Sequence, residues 1–241
     1  MVEAERESPH VLCVIPVRGG SKGIPGKNLR LIGGKPLVVW TIEQALACHP
    51  PVHVIVSTDD AEIAAVATAA GAHVPFLRPA ALATDAAATE PVVEHALAWW
   101  RTQHEDPDAV MLLQATSPIR LPGTLDRALA QFAGNQFDSL VGVVPQSLFV
   151  WTAGPPPTPG YDVDRRPRRQ DIPADQVRYR ETGSLYLTRP AVYDTLHNRL
   201  GGRIGLFIMD EIEGTDIDIE PDLLLAAAII DSLPTTTEEA Q

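Results

Sequence analysis

Short, almost wholly apolar runs recur along this chain, each followed by residues with helical spacing, and that rhythm restricts the fold more than any other feature. Val11–Val17 (VLCVIPV), His53–Ser57 (HVIVS) and Ala109–Leu113 (AVMLL) have the composition of strands covered on both faces. Pro36–Cys48, Ala61–Ala70 and Glu90–Gln103 place apolar residues three and four apart, as amphipathic helices do. Asp59 or Asp60 can cap the second of these helices, and Gly71 is a natural stop. Strand and helix patterns alternating at this spacing predict an α/β fold, a mostly parallel sheet with helices on both faces, which binds ligands at the carboxyl ends of its strands.

Residues 72–77 (AHVPFL) are expected to add a short strand and Leu125–Phe132 a helix. Further strands are expected over LVGVV from Leu140, SLYLT at Ser184–Thr188 and IGLFIM from Ile204, with a closing helix over Leu223–Ile230. Between them lies WTAGPPPTPGYDVDRRPRRQDIPADQ, where three consecutive prolines exclude a helix or a central strand. The chain therefore divides into one domain over 11–233, an excursion over about 140–180, and loose tails at 1–10 and 234–241.

The hydrophobic fraction of 45% against 21% charged residues is that of a globular protein. No apolar run approaches the roughly 20 residues that cross a bilayer, so no membrane partner is expected. Nineteen Lys and Arg against 31 Asp and Glu give a net charge of −12, which argues against a long nucleic acid but not against a small polyanion met by local cations. The two cysteines, Cys13 and Cys48, offer no disulfide framework or metal spacing, and a reducing, cytoplasmic setting is expected.

The first apolar run empties into RGGSKGIPGKN, Arg18–Asn28. Glycines after a buried strand let backbone amides approach an anion, and Arg18, Lys22, Lys27 and Arg30 add charge while Ser21 adds a hydroxyl. The segment is not a P-loop, because Ser21 stands where the first glycine belongs and Asn28 where the closing hydroxyl belongs. Nor does it have the spacing of a dinucleotide fingerprint. A triphosphate needs several donors along its length, and this turn supplies them; a Gly- and Lys-rich surface turn is the plainer alternative.

Near the other end, GTDIDIE alternates polar and apolar residues, so a strand would put Asp216 and Asp218 on one face. Two such carboxylates suit Mg²⁺, which binds through one or two carboxylates plus phosphate oxygens; a solvated edge strand would carry the same pair. Both isoleucines are expected in the core. Asp210, Glu211 and Glu213 are expected to be solvated loop charges, and Glu220 and Asp222 to cap a helix. Arg165, Arg166, Arg168 and Arg169 cluster in an acidic chain, and Arg169 with Arg180 forms the preferred pair for clamping a substrate carboxylate.

Taken together, these residues resemble the acylneuraminate cytidylyltransferases, the CMP-sialic acid synthetases and their relatives acting on other nonulosonic acids. The likeness runs from about Leu12 to Ile230 through RGGSKGIPGKN, STDD at Ser57–Asp60, LRPAALATD at Leu77–Asp85, LLQATSPIR at Leu112–Arg120, RRQDIP at Arg168–Pro173 and DIDIEPDL at Asp216–Leu223. It implies a Rossmann-like α/β domain whose excursion crosses to the partner of a homodimer. It implies that Arg18, Lys22 and Lys27 hold the triphosphate of CTP, and that Asn28, Arg78 and Thr89 hold base, ribose or neighbouring phosphate. Gln114 and Arg169 fall at sugar-side positions, and Asp216 with Asp218 at the metal pair.

The implied reaction joins CMP to the anomeric hydroxyl of an acidic nine-carbon sugar, with Arg18, Lys22 and Lys27 stabilising phosphate charge and Asp218 or a metal-bound water as the candidate base. Arg180-Glu181-Thr182-Gly183 replaces an Arg-Pro-Asn-Gly of the sialate enzymes, so Thr182 is expected to alter hydrogen bonding to the sugar. PQSLFVW also departs from the family pattern. Both leave open which nonulosonic acid is used, a deaminated, legionaminic or pseudaminic acid included. The rival readings are a GTP donor, an octulosonate acceptor, and a catalytically silent nucleotide-binding scaffold.

Overall fold

A computed structural model describes residues 9–21 and 23–233. In chain order its strands are β1 (Val11–Pro16), β2 (Leu31–Ile32), β3 (Lys35–Pro36), β4 (His53–Ser57), β5 (Ala109–Leu113), β6 (Ser139–Gln146), β7 (Trp151–Thr152), β8 (Thr158–Pro159), β9 (Arg178–Thr188) and β10 (Ile204–Ile208). The helices are α1 (Leu37–Leu46), α2 (Ala61–Ala69), α3 (Glu90–Trp100), α4 (Thr124–Gly134), α5 (Pro190–Leu196) and α6 (Glu220–Ser232). Six strands form one sheet in the order β10-β6-β9-β5-β1-β4. All run parallel except β9, which pairs antiparallel with both β5 and β6.

Alternation along the apolar runs places side chains in two layers. Val11, Cys13 and Ile15 of β1 join a core with α1, α2 and α4, whereas Leu12 and Val14 pack with α3 and Tyr193 of α5. Each strand residue is therefore covered whichever way it points, which is why the runs contain almost no polar residue. A third core holds Ile24, Ile32, Ile119 and Ile217 under Leu223 and Ala226 of α6. It ties the glycine-rich turn to the carboxyl-terminal helix.

Several expectations need correction. Residues 72–77 contribute only the isolated bridges Ile55–His73 and Thr58–Leu77, because Pro75 has no N–H to continue a ladder. The strand expected over Ser184–Thr188 starts at Arg178, and β6 runs to Gln146, so the chain leaves the sheet only over 147–177. GTDIDIE is not a strand. Glu211–Gly214 forms a 3-10 turn, after which Ile217 N donates to Thr116 O at 2.9 Å, and Asp222 accepts from the amides of Asp218 and Ile219. Ile217 is fully buried but Ile219 is 55% exposed, so only one isoleucine belongs to the core.

Of the two capping candidates, Asp60 accepts from Glu62 N and Ile63 N, while Asp59 faces the glycine-rich turn. Asp222 does cap α6, whereas Glu220 pairs with Arg30. His10, placed in the expected tail, is fastened by backbone and side-chain bonds to Asp108. The rest of the expected tails, 1–8 and 234–241, and Lys22 lie outside the described residues.

Candidate active site

Where β1 ends, Val17 N donates to Ser57 O at 2.9 Å and holds the turn against the carboxyl edge of β4. The turn then crosses toward the acidic segment near the other terminus. Gly23 packs so closely on Asp218 O that an added Cβ would collide with it. Lys27 Nζ donates to Ile217 O at 2.5 Å and lies 3.4 Å from Asp218 Oδ1. Elements almost 200 residues apart in sequence thus meet at one sheet edge, Lys27 and Asp218 being separated by 191 positions.

They share a cleft of about 380 Å³. Arg18, Ser21, Lys27 and Asn28 line it from the turn, and Arg78 and Thr89 from the segment before α3. Gln114, just past β5, and the pair Asp216 and Asp218 line the remaining wall. The cationic side is already engaged: Arg18 Nη1 lies 2.5 Å from Asp85 Oδ1, and Gly19 N donates to Asp59 Oδ1 at 3.0 Å. Asn28 Nδ2 donates to Arg18 O at 3.0 Å, fixing the turn's curvature.

Burial sets the electrostatics. Arg78 donates to Ser57 Oγ and Ser57 O, and desolvation lowers its pKa, partly offset by Asp59. Burial likewise raises the Asp216 carboxyl above the usual range, and neighbouring Asp218 adds to the rise, while hydrogen bonds from Thr116 and Ser117 and the Lys27 charge oppose it. Asp218 is the open member, its side chain 77% exposed.

Not all expected sugar contacts gather here. Arg169 and Arg180 line a separate hollow of about 480 Å³ beside Val144–Leu148. Arg180 Nη2 donates to Gly214 O at 3.0 Å, next to the acidic segment but outside the main cleft. Thr182 is buried: its hydroxyl donates to Gly142 O at 3.0 Å and accepts from Ser184 N, so it secures β9 instead of facing the cleft. Arg168 pairs with Asp171, and Arg166 lies over the ring of Phe149.

Three supporting groups escaped the sequence reading. Glu213 is 1% exposed, not a solvated charge, and accepts from Leu121 N, Thr124 Oγ1 and Asp210 N. The Asp210-x-x-Glu213 spacing is a capping-box signature and could have announced it. Arg120 is buried under the cleft, donating to Thr41, Gln44, Gln114 O and Ser184 O, and desolvation lowers its pKa to about 10. Ser117 Oγ donates to Asp216 Oδ1 at 3.3 Å. Arg120 and Ser117 both stand within LLQATSPIR, but local spacing gives neither of them this supporting role.

Together the sheet, the cationic turn and the facing carboxylates define a nucleotidyltransferase. A family profile described as Cytidylyltransferase matches residues 12–195. The chain is 32% identical over 228 residues to Post-translational flagellin modification protein B of Campylobacter coli, covering 91% of this chain and 94% of that one. It is 44% identical over 140 residues to CMP-N,N'-diacetyllegionaminic acid synthase of Legionella pneumophila, 57% of this chain and 59% of that one. A third relative, N-acylneuraminate cytidylyltransferase A of Danio rerio, is 32% identical over 223 residues, 90% of this chain but 50% of its own length. In fold the chain is similar to a CMP:2-keto-3-deoxy-manno-octonic acid synthetase solved with CTP, at a TM-score of 0.68, 18% identity, and 92% and 98% coverage. The chain belongs to the cytidylyltransferase family.

Proposed function

We propose that this protein transfers CMP from CTP to the anomeric hydroxyl of a nonulosonic acid and releases pyrophosphate. The observation that carries the reading is that Gly23 packs on Asp218 O while Lys27 shares one cleft with Asp216 and Asp218. Names of relatives that act on legionaminic, pseudaminic and N-acylneuraminic acids support the acceptor class.

Arg18, Ser21, Lys22 and Lys27 bind the triphosphate, and Asn28, Arg78 and Thr89 hold the nucleoside. Gln114 orients the sugar. The anomeric oxygen bonds to the α-phosphorus as the bond to the bridging oxygen breaks, and pyrophosphate leaves with that electron pair. Asp218 or a metal-bound water takes the anomeric proton in this reading, and the 77% exposure of the Asp218 side chain supports the first. Asp216 and Asp218 fit a magnesium ion, since a half-buried carboxylate raised by burial and then by its neighbour is relieved by a cation. No group of three acidic, His or Cys side chains that could hold a metal exists among the described residues, so phosphate and water would complete the shell. When bound, the ion supplies Lewis-acid stabilisation of phosphate charge.

A homodimer is part of this reading. Arg169 and Arg180 sit on and beside an excursion over 147–177 whose Trp151 is exposed, a surface suited to a second copy. Two buried free thiols support a reducing, cytoplasmic setting. The test is pyrophosphate release from each of CTP, GTP, ATP and UTP with several nonulosonic acids and an octulosonate, with and without Mg²⁺. Release confined to CTP, Mg²⁺ and a nonulosonic acid is expected. Release with GTP or the octulosonate alone would select a rival, and none with any pair would leave the silent scaffold.

A further inference from the structure

The cleft's phosphate-binding donors are held by carboxylates of the chain itself. Arg18 Nη1 is 2.5 Å from Asp85 Oδ1, and Gly19 N is 3.0 Å from Asp59 Oδ1. Arg18 and Asp85 both line the cleft, and their side chains are 33% and 47% exposed. They are 67 residues apart, so the pair fastens the glycine-rich turn to the segment before α3. A carboxylate oxygen on a guanidinium N–H makes the same kind of charge-assisted hydrogen bond that a phosphate oxygen makes, with the same sign of charge.

From this juxtaposition we infer that Asp85 is an affinity-setting residue: it occupies Arg18 in the free protein, yields it to the incoming triphosphate, and retakes it as pyrophosphate leaves. The inference rests on the nucleotide reading of this cleft. Its physical basis is competition. Asp85 contributes negative charge to a cleft that already holds Asp216 and Asp218, so a polyanion entering beside it meets both an occupied donor and a like charge. Because the Arg18–Asp85 pair is partly exposed, the exchange is inexpensive: ion pairs of this kind contribute about 0.2–1 kcal/mol, equivalent to a competition factor of roughly 1.5 to 5. A latch of that strength keeps the turn ordered without barring the substrate.

The alternative role for the same contact is support, in which Asp85 keeps Arg18 aimed at the phosphates throughout turnover. The two roles predict opposite signs. Binding of CTP, pyrophosphate and cytidine to the full chain and to Asp85→Asn is to be measured by calorimetry and by competition, at low and at high salt. Competition predicts CTP and pyrophosphate binding about 1.5- to 5-fold tighter in the variant, with cytidine unchanged because it has no phosphate to exchange. Asp85→Ser, which cannot pair with Arg18 as an ion, should tighten both phosphate ligands likewise. Unchanged or weaker CTP binding in both variants would overturn the inference, and so would an equal gain for cytidine. Failure of the unaltered protein to bind CTP would remove the nucleotide reading itself, a result distinct from any difference between variants.

Discussion

Replacing Glu213 by Ala tests how the acidic segment is held in place. The carboxylate is 1% exposed and accepts from Leu121 N at 2.8 Å, Thr124 Oγ1 at 2.6 Å and Asp210 N at 2.9 Å. Hydrogen bonds to a charged group contribute about 1.5–3 kcal/mol each, but the three share one acceptor group and do not add. Alanine also leaves the Thr124 hydroxyl and the amides of Leu121 and Asp210 without this acceptor, so a net loss of about 3 kcal/mol is expected. For a chain of this size that lowers Tm by roughly 6–12 °C. Gln keeps one carbonyl acceptor and the side-chain shape, and should lose about half as much. Urea unfolding and calorimetry of both variants, with turnover measured well below either Tm, are the assays. Turnover should fall more than nucleotide affinity, because Glu213 fixes the turn from which Asp216 and Asp218 depart. An alanine variant within about 1 kcal/mol of the parent would refute the argument that this buried carboxylate organises the segment.

The Asp216 carboxyl is raised by burial, so its ionised form is disfavoured by folding; the penalty is absent below the unfolded value and grows as pH rises through the folded one. Asp216→Asn should therefore raise Tm of the free protein at neutral pH while abolishing turnover, and a lower Tm would reverse the assignment. Asp218→Asn, at a largely exposed side chain, should leave Tm unchanged and sharply reduce turnover; parental turnover would remove its role. Thr182→Val strips a buried hydroxyl of its bonds to Gly142 O and Ser184 N and should cost about 1–2 kcal/mol in urea unfolding, with KM for the sugar unchanged. A raised sugar KM with stability intact would restore Thr182 to the substrate.

The parallel framework was legible because strands buried on both faces, such as VLCVIPV and AVMLL, cannot be mistaken for anything that needs water. The glycine-rich turn was legible through its residue types, and the facing acids through their spacing, although the reason given for the latter was wrong. Asp216 and Asp218 share the cleft not through strand alternation but because Ile217 alone is pulled into the core and bonded to Thr116 O. Glu213 and Arg120 were hidden by their charge, since burial of either depends on partners far away in sequence; Glu213 and Thr124 are 89 positions apart, Arg120 and Gln44 76. Thr182 misled for the opposite reason: its place in a substrate motif says nothing about which way its hydroxyl turns within β9. The long excursion concealed where the sheet resumes.

The reversed strand β9 also governs the order in which the molecule can come into being. It lies between β5 and β6, pairing Leu112 and Val141 alike with Tyr186. Until that stretch has been synthesised, β5 and β6 each keep an open edge that can zip onto a neighbouring nascent chain. The amino-terminal half, though it contains the whole glycine-rich turn, therefore cannot mature on the ribosome as a free-standing unit. Closure waits for contacts spanning more than seventy positions, and such distant pairing makes assembly slow relative to helix formation. In that interval β5 is paired on one side only and β6 on neither, since β10 also follows β9 along the chain.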